Sequence, residues 1–298
     1  MIPEAKETTN DYFVIASDFL KAKDSLLFEN FEKQSNIKII IKCMSADSIQ
    51  SHYEFYGYNS KIDGVILSTS YEMNELSKAN VLHKLPKEYS IIPVSFRSPK
   101  NDWISFGLDP YVLDFGDSSV KKSSYNELTY GTKWIPVLSK EESGAFYASV
   151  VHQFGRKGLH KSKKWLQAMY DHSQSSISDT LKHSEMTLNR FSKAKNSHHN
   201  YLIPNQQKGG AFYDCVGIGI IQQSQNFVQV NQLISYLLKP HNNQIILGKL
   251  SLFPIENPKN RSDFKYQNAY PRLFRCTPNK CVREYRDVER ILRKLDHL

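Results

Sequence analysis

The sequence predicts an α/β fold in two lobes joined by extended strands. Three observations predict it. Short apolar runs alternate with amphipathic helical stretches through the first hundred residues. A second α/β series follows after a stretch of extended segments. The chain has 298 residues, a length more often found as two compact units than as one.

The elements are read in order. Tyr12 to Ala16 reads as a strand. Asp24 or Ser25 caps a helix carrying Leu27, Phe28 and Phe31 on one face. Ile37 to Cys43 reads as a buried strand, Ser45 to Tyr56 as a helix, and Val65 to Leu67 as a third strand before a helix near Ser70. This βαβαβα rhythm implies a parallel sheet with helices on its faces. Asp102 to Gly107, Tyr111 to Phe115 and Trp134 to Leu138 are extended, and helices are expected at 144–154, 160–172 and 176–194. Tyr201 to Pro204 and Phe212 to Ile221 return as strands. Phe227, Val230, Ile234 and Leu237 share one face of a helix over Phe227 to Leu238, with Asn226 at its N-cap. A final amphipathic helix turns Tyr285, Val288, Leu292 and Leu295 inward.

Composition narrows the function classes. Apolar residues make 40% of the chain, enough for a core, and no run approaches the roughly 18 apolar residues of a membrane span. Net charge is +9, but the denser clusters, Lys157 to Lys164 and Arg283 to Lys294, are interleaved with acids or apolar residues. A solvated basic surface is the expectation, and no nucleic-acid partner. Met1 to Asn10 lacks the apolar run of a secretory signal, which leaves a cytosolic protein or one read without its export signal or lipid anchor. Cys276 and Cys281 bracket Thr-Pro-Asn-Lys and are a candidate disulfide, with a two-ligand metal site as the weaker reading. Cys43 and Cys215 are expected as buried thiols. Gly217-Ile218-Gly219 is a lone Gly-x-Gly inside a strand, not a dinucleotide site, and no hydrolase, zincin or P-loop motif occurs.

Several segments carry a family resemblance. They include Glu29 to Ile39, Ile62 to Ile66, Glu75 to Leu82, Tyr125 to Leu128 with Lys133-Trp134, Ile203-Pro204-Asn205-Gln206, Asn226 to Leu238 and Val288 to Leu295. In this order they resemble the periplasmic solute-binding proteins of ABC importers, in the branch that includes ferric-ion-binding proteins. The resemblance implies two lobes, each a mixed sheet flanked by helices, with crossing strands near Tyr111 to Phe115 and Asp214 to Ile221 as the hinge. Lobe 1 would take residues 11–110 and 217–268, and lobe 2 residues 111–216 and 269–298. It also implies a non-enzymatic, monomeric protein, periplasmic or membrane-anchored outside the cytoplasm, that carries a small ligand to a membrane permease. No cofactor is expected; a metal ion or iron chelate would be cargo. Ferric-ion binders of this kind hold iron with two adjacent tyrosines. Here the matching place reads His183-Ser184-Glu185-Met186, and no two tyrosines adjoin anywhere. The expectation is therefore a ligand other than tyrosine-held ferric ion. Iron bound through unusual ligands such as Glu185, and a cytosolic enzyme or nucleic-acid binder, are the alternatives.

Ligands of such sheets sit beyond the carboxyl ends of the strands. Candidate ligand-binding residues there are Asp18, Ser45, Asp47, Ser68, Thr69, Ser70, Ser139, Ser143 and Glu185, with Tyr213 as a stacking side chain. The hydroxyls and free N–H groups at Ser68 to Ser70 suit an anion, or simply cap a helix. The carboxylates Asp18, Asp47, Glu142 and Glu185 suit a cation or metal, or are solvated surface acids.

Overall fold

A computed structural model describes residues 11–116, 124–125, 134–136, 146, 149, 167, 186–196, 200–206, 209–255, 271, 273 and 290. Eight strands are present among them: β1 (Tyr12–Ser17), β2 (Lys38–Cys43), β3 (Gly64–Leu67), β4 (Trp103–Gly116), β5 (Trp134–Pro136), β6 (Met186–Arg190), β7 (Asn200–Leu202) and β8 (Tyr213–Ile220). Their order across the sheet is β2-β1-β3-β8-β4-β6-β5, with β7 also on β4. The parallel pairs β1–β2 and β1–β3 bear out the βαβ rhythm. β8 then inserts antiparallel between β3 and β4.

The two extended segments 102–107 and 111–115 are one strand, β4. Its first half pairs with β8, Trp103 opposite Gly219 through Pro110 opposite Tyr213. Its second half pairs with β6 and β7. A bulge between Ser105 and Gly107, where Ser105 Oγ donates to the Gly107 carbonyl at 2.9 Å, re-aims the strand midway.

Helices are α1 (Glu29–Ser35), α2 (Ala46–Tyr56), α3 (Ser70–Lys78), α4 (Phe191–Asn196), α5 (Phe227–Leu238) and α6 (Pro240–Leu250). Alternation along β1 sends Phe13 and Ile15 to a core shared with Ile104, Val216 and α5, and sends Ala16 to one shared with Ile49, Met73 and Trp103. Val230, Leu233, Ile234 and Leu237 of α5 are all buried, each contributing about 1.5–3 kcal/mol of burial free energy. Gly217 of the Gly-x-Gly has a packing role: a Cβ there would stand 2.6 Å from Met73 Cγ and 3.3 Å from Trp103 Cε3.

Four expectations change. The helix expected over 176–194 is interrupted, because Met186–Arg190 is strand β6, and its last four residues fall in α4. The edge of β4 from Tyr111 to Asp114 needs backbone partners, and a run containing Thr187 and Asn189 has little helix propensity to oppose pairing. The residues expected to form a helix from Asp24 first make a 3-10 segment, Ala22–Phe28, in which Asp24 Oδ2 accepts from Lys21 N at 2.8 Å. β2 is an edge strand: alternation turns Ile40 to solvent, and Cys43, on the Ile39 and Ile41 face, is exposed because it ends the strand. Asn226 precedes α5 but makes no side-chain cap; Ser224 Oγ accepts the Asn226 N–H instead. The final helix and the Cys276–Cys281 pair lie outside the described residues.

Candidate functional site

A cavity of about 580 Å³ opens beyond the carboxyl ends of β1, β2 and β3. Asp18, Ser45 and Ser68 line it from those strand ends, Asp109 from β4, and Arg190, Ser192 and Lys193 from β6 and α4. Phe19, Leu20, Leu27, Val216, Leu250 and Leu252 form an apolar wall.

Local geometry places Asp18. Ser17, the last residue of β1, accepts the Leu20 N–H on its hydroxyl at 3.1 Å, which turns the chain sharply. Asp18 then reaches the end of the neighbouring β3. Its Oδ1 accepts from Ser68 N at 2.9 Å and its Oδ2 from the Ser68 hydroxyl. Burial holds the Asp18 carboxyl above the usual range, while the Ser68 bonds and the Arg190 charge pull it down.

Arg190 ties β6 to the end of β3. Its Nη2 donates to the Ser68 carbonyl at 2.8 Å. Its Nε lies 3.0 Å from Asp109 Oδ2, an ion pair whose members are each about 2% exposed. Asp109 also accepts from Ser192 N at 3.1 Å and Ser192 Oγ at 2.5 Å. Directly across the ladder from Asp109 stands Asp214, whose Oδ1 takes Ser70 N, Ser70 Oγ and Cys215 N at 2.7–2.8 Å. Burial raises the Asp214 carboxyl, with Arg190 opposing. Burial, then the Asp214 charge, push the Cys215 thiol far above its ordinary value, so it is inert.

The predicted site residues divide. Asp18, Ser45 and Ser68 line the cavity together. Ser45 is also the N-cap of α2, accepting from Ser48 N at 3.3 Å. Thr69 is the buried N-cap of α3; Glu72 N donates to its hydroxyl at 3.1 Å, and its hydroxyl donates to the Glu72 carboxylate at 2.7 Å. Ser70 is occupied by Asp214, and Asp47 is exposed in the first turn of α2, off the cavity. Tyr213 packs against the apolar cluster that includes Leu108 and Phe253, and is not in the cavity lining. Ser139, Ser143 and Glu185 lie outside the described residues. Sequence reasoning missed Glu72, Asp109, Arg190 and Ser192. Only Glu72 had a local signal, the Thr-x-x-Glu spacing of a helix start. Among the described residues, no three His, Cys, Asp or Glu side chains are grouped to hold a metal ion.

A strand that serves two sheet segments, a return strand beside it, and a cavity at the strand ends define the two-lobed α/β fold of periplasmic binding proteins. Solved structures share that fold over nearly the whole chain. A ferric binding protein from Campylobacter jejuni superposes with a TM-score of 0.76 at 15% identity, covering 95% of this chain and 98% of that one. A Trichodesmium protein (IdiA, FutA) in complex with iron and citrate gives 0.75 at 14%, and iron-bound HitA from Pseudomonas aeruginosa 0.74 at 16%, with the same coverage. No family model matches the sequence. Among the described residues, no helix is long and apolar enough to cross a membrane.

Proposed function

We propose that this chain is an extracytoplasmic solute-binding protein that delivers a small ligand to the permease of an ABC importer, acting as a monomer and without catalysis. The observation that carries the reading is the 580 Å³ cavity at the strand ends, where Asp18 and Ser68 of one sheet segment meet Arg190 of the other. The lobes are residues 11–110 with 217–268, and 111–216 with 269–298. They close about the crossing strands β4 and β8. The likeness to ferric binding proteins supports the transport role.

The ligand is not held as a tyrosine-bound ferric ion. The described lining contains carboxylates, hydroxyls, cations and apolar side chains, and its aromatic member is Phe19. A second reading is an iron chelate, favoured by the iron and citrate in the Trichodesmium structure.

Thermal shift and small-angle scattering test the function together. A ligand that binds the folded form at about a hundred times its Kd adds about 2.7 kcal/mol of stability. The expected result is a raised melting temperature with a smaller radius of gyration. Metals, ferric citrate, phosphonates, polyamines and siderophores that all leave both unchanged would defeat the reading.

A further inference from the structure

The cavity has two chemically unlike sides, and together they define what fits. On the polar side, the donors of Ser68 and Ser192 are already committed. Ser68 spends its N–H and hydroxyl on Asp18. Ser192 spends both of its donors on Asp109. The Arg190 guanidinium faces Asp109 and the Ser68 carbonyl and is almost wholly buried. The other lining cations, Lys193 and Lys249, are exposed at the rim, where water screens them.

Acceptors remain. A carboxylate has about four lone-pair sites, and Asp18 uses them for the Ser68 N–H, the Ser68 hydroxyl and its own backbone N–H, which leaves room for a further donor. Asp18 is only part-buried and faces the cavity; Glu72 and Asp109 share the lining but are buried and already bonded to Thr69, Ser192 and Arg190. A ligand that meets this side donates hydrogen bonds and carries positive charge. On the other side, Phe19, Leu27 and Leu250 are part-exposed apolar side chains at the edge of the main core. A bare or hydrated metal ion gains nothing from such a wall; a carbon skeleton does.

We infer that the cavity takes an organic cation, an ammonium or guanidinium ion with an apolar body. Its N–H groups point at Asp18 and its skeleton lies on Phe19, Leu27 and Leu250. This deepens, and rests on, the reading of the cavity as the solute site.

Calorimetry on the full chain tests it with seven probes: 2-phenylethylammonium, agmatine, spermidine, 2-phenylethanol, 3-phenylpropionate, citrate and ferric citrate. At least one of the three cations binds, the matched alcohol and carboxylate do not, and Asp18→Asn weakens the cation about tenfold or more. Leu27→Lys, on the apolar side, also expels the cation, which keeps the inference exposed if Asp18→Asn does not fold. Binding of 3-phenylpropionate, citrate or ferric citrate without any cation overturns the organic-cation assignment and leaves the solute-binding role standing. Cation binding that neither variant weakens also overturns the assignment. Heat from none of the seven also overturns the organic-cation assignment, and the solute-binding role then stands or falls on the broader thermal-shift and scattering screen.

Discussion

Replacing Arg190 with glutamine removes a buried cation 3.0 Å from Asp109 and the Nη2 bond to the Ser68 carbonyl. Both members of the ion pair are about 2% exposed, so solvent screening does not reduce the effect. Removing one member of a buried pair costs about 3–5 kcal/mol, because the other charge loses its nearby opposite charge in a site that water does not reach. Asp109 keeps both Ser192 bonds, so the expected loss lies near the lower end, about 3 kcal/mol. Removing Asp109 as well relieves the stranded charge. The double variant Arg190→Gln, Asp109→Asn is therefore less destabilised than the sum of the singles, with a coupling of about 1–3 kcal/mol. Urea unfolding followed by circular dichroism and by tryptophan fluorescence measures this, provided the two probes coincide and the slope is unchanged. A loss under about 1 kcal/mol for Arg190→Gln, or additivity within about 0.5 kcal/mol, would refute the reasoning.

Other expectations follow from the same geometry. Gly217→Ala forces Met73 or the strand to move and costs about 1–3 kcal/mol in urea unfolding; adding Met73→Ala makes room for the methyl, so a double variant no better than the additive sum counts against this packing. Tyr125→Phe removes a hydroxyl that donates to the Tyr111 carbonyl at 2.6 Å and accepts from Phe212 N at 3.2 Å. It leaves a buried carbonyl and amide without that partner, at about 1–3 kcal/mol, and an unchanged melting curve would contradict it. Asp214 titrates above its ordinary 3.8 in the folded chain because burial penalises its charge. The folded state therefore binds this proton more tightly than the unfolded state, and the group's contribution to stability falls as pH rises from 3.8 through the raised value. Asp214→Asn flattens that part of the pH–stability profile; a profile parallel to the wild type rules it out.

Much of the first sheet was legible in local pattern. Phe227 to Leu238 carries an apolar period long enough to set element type, Tyr12 to Ala16 and Val65 to Leu67 are short β-branched and aromatic runs, and each forms as read. Asp18, Ser45 and Ser68 were legible because they stand immediately after strand-like runs, where a parallel sheet leaves its strand ends open. Cys43 was not, since Ile37 to Cys43 has the same apolar run whether it sits centrally or at an edge. α6 was missed for a similar reason: Pro240 to Leu250 mixes Asn, Gln and Lys with few apolar residues, and its burial comes from Ile246 and Leu247 alone.

Sequence by itself determined the α/β class, the parallel start of the sheet and the strand ends that reach the cavity. These depend on side chains a few residues apart, whose periodicity survives in one dimension. Only the tertiary structure decided the partners. Arg190 meets Ser68 across 122 positions and Ser70 meets Asp214 across 144. No short-range pattern encodes such pairings, because burial makes each lone charge or hydroxyl costly until a distant segment supplies its complement.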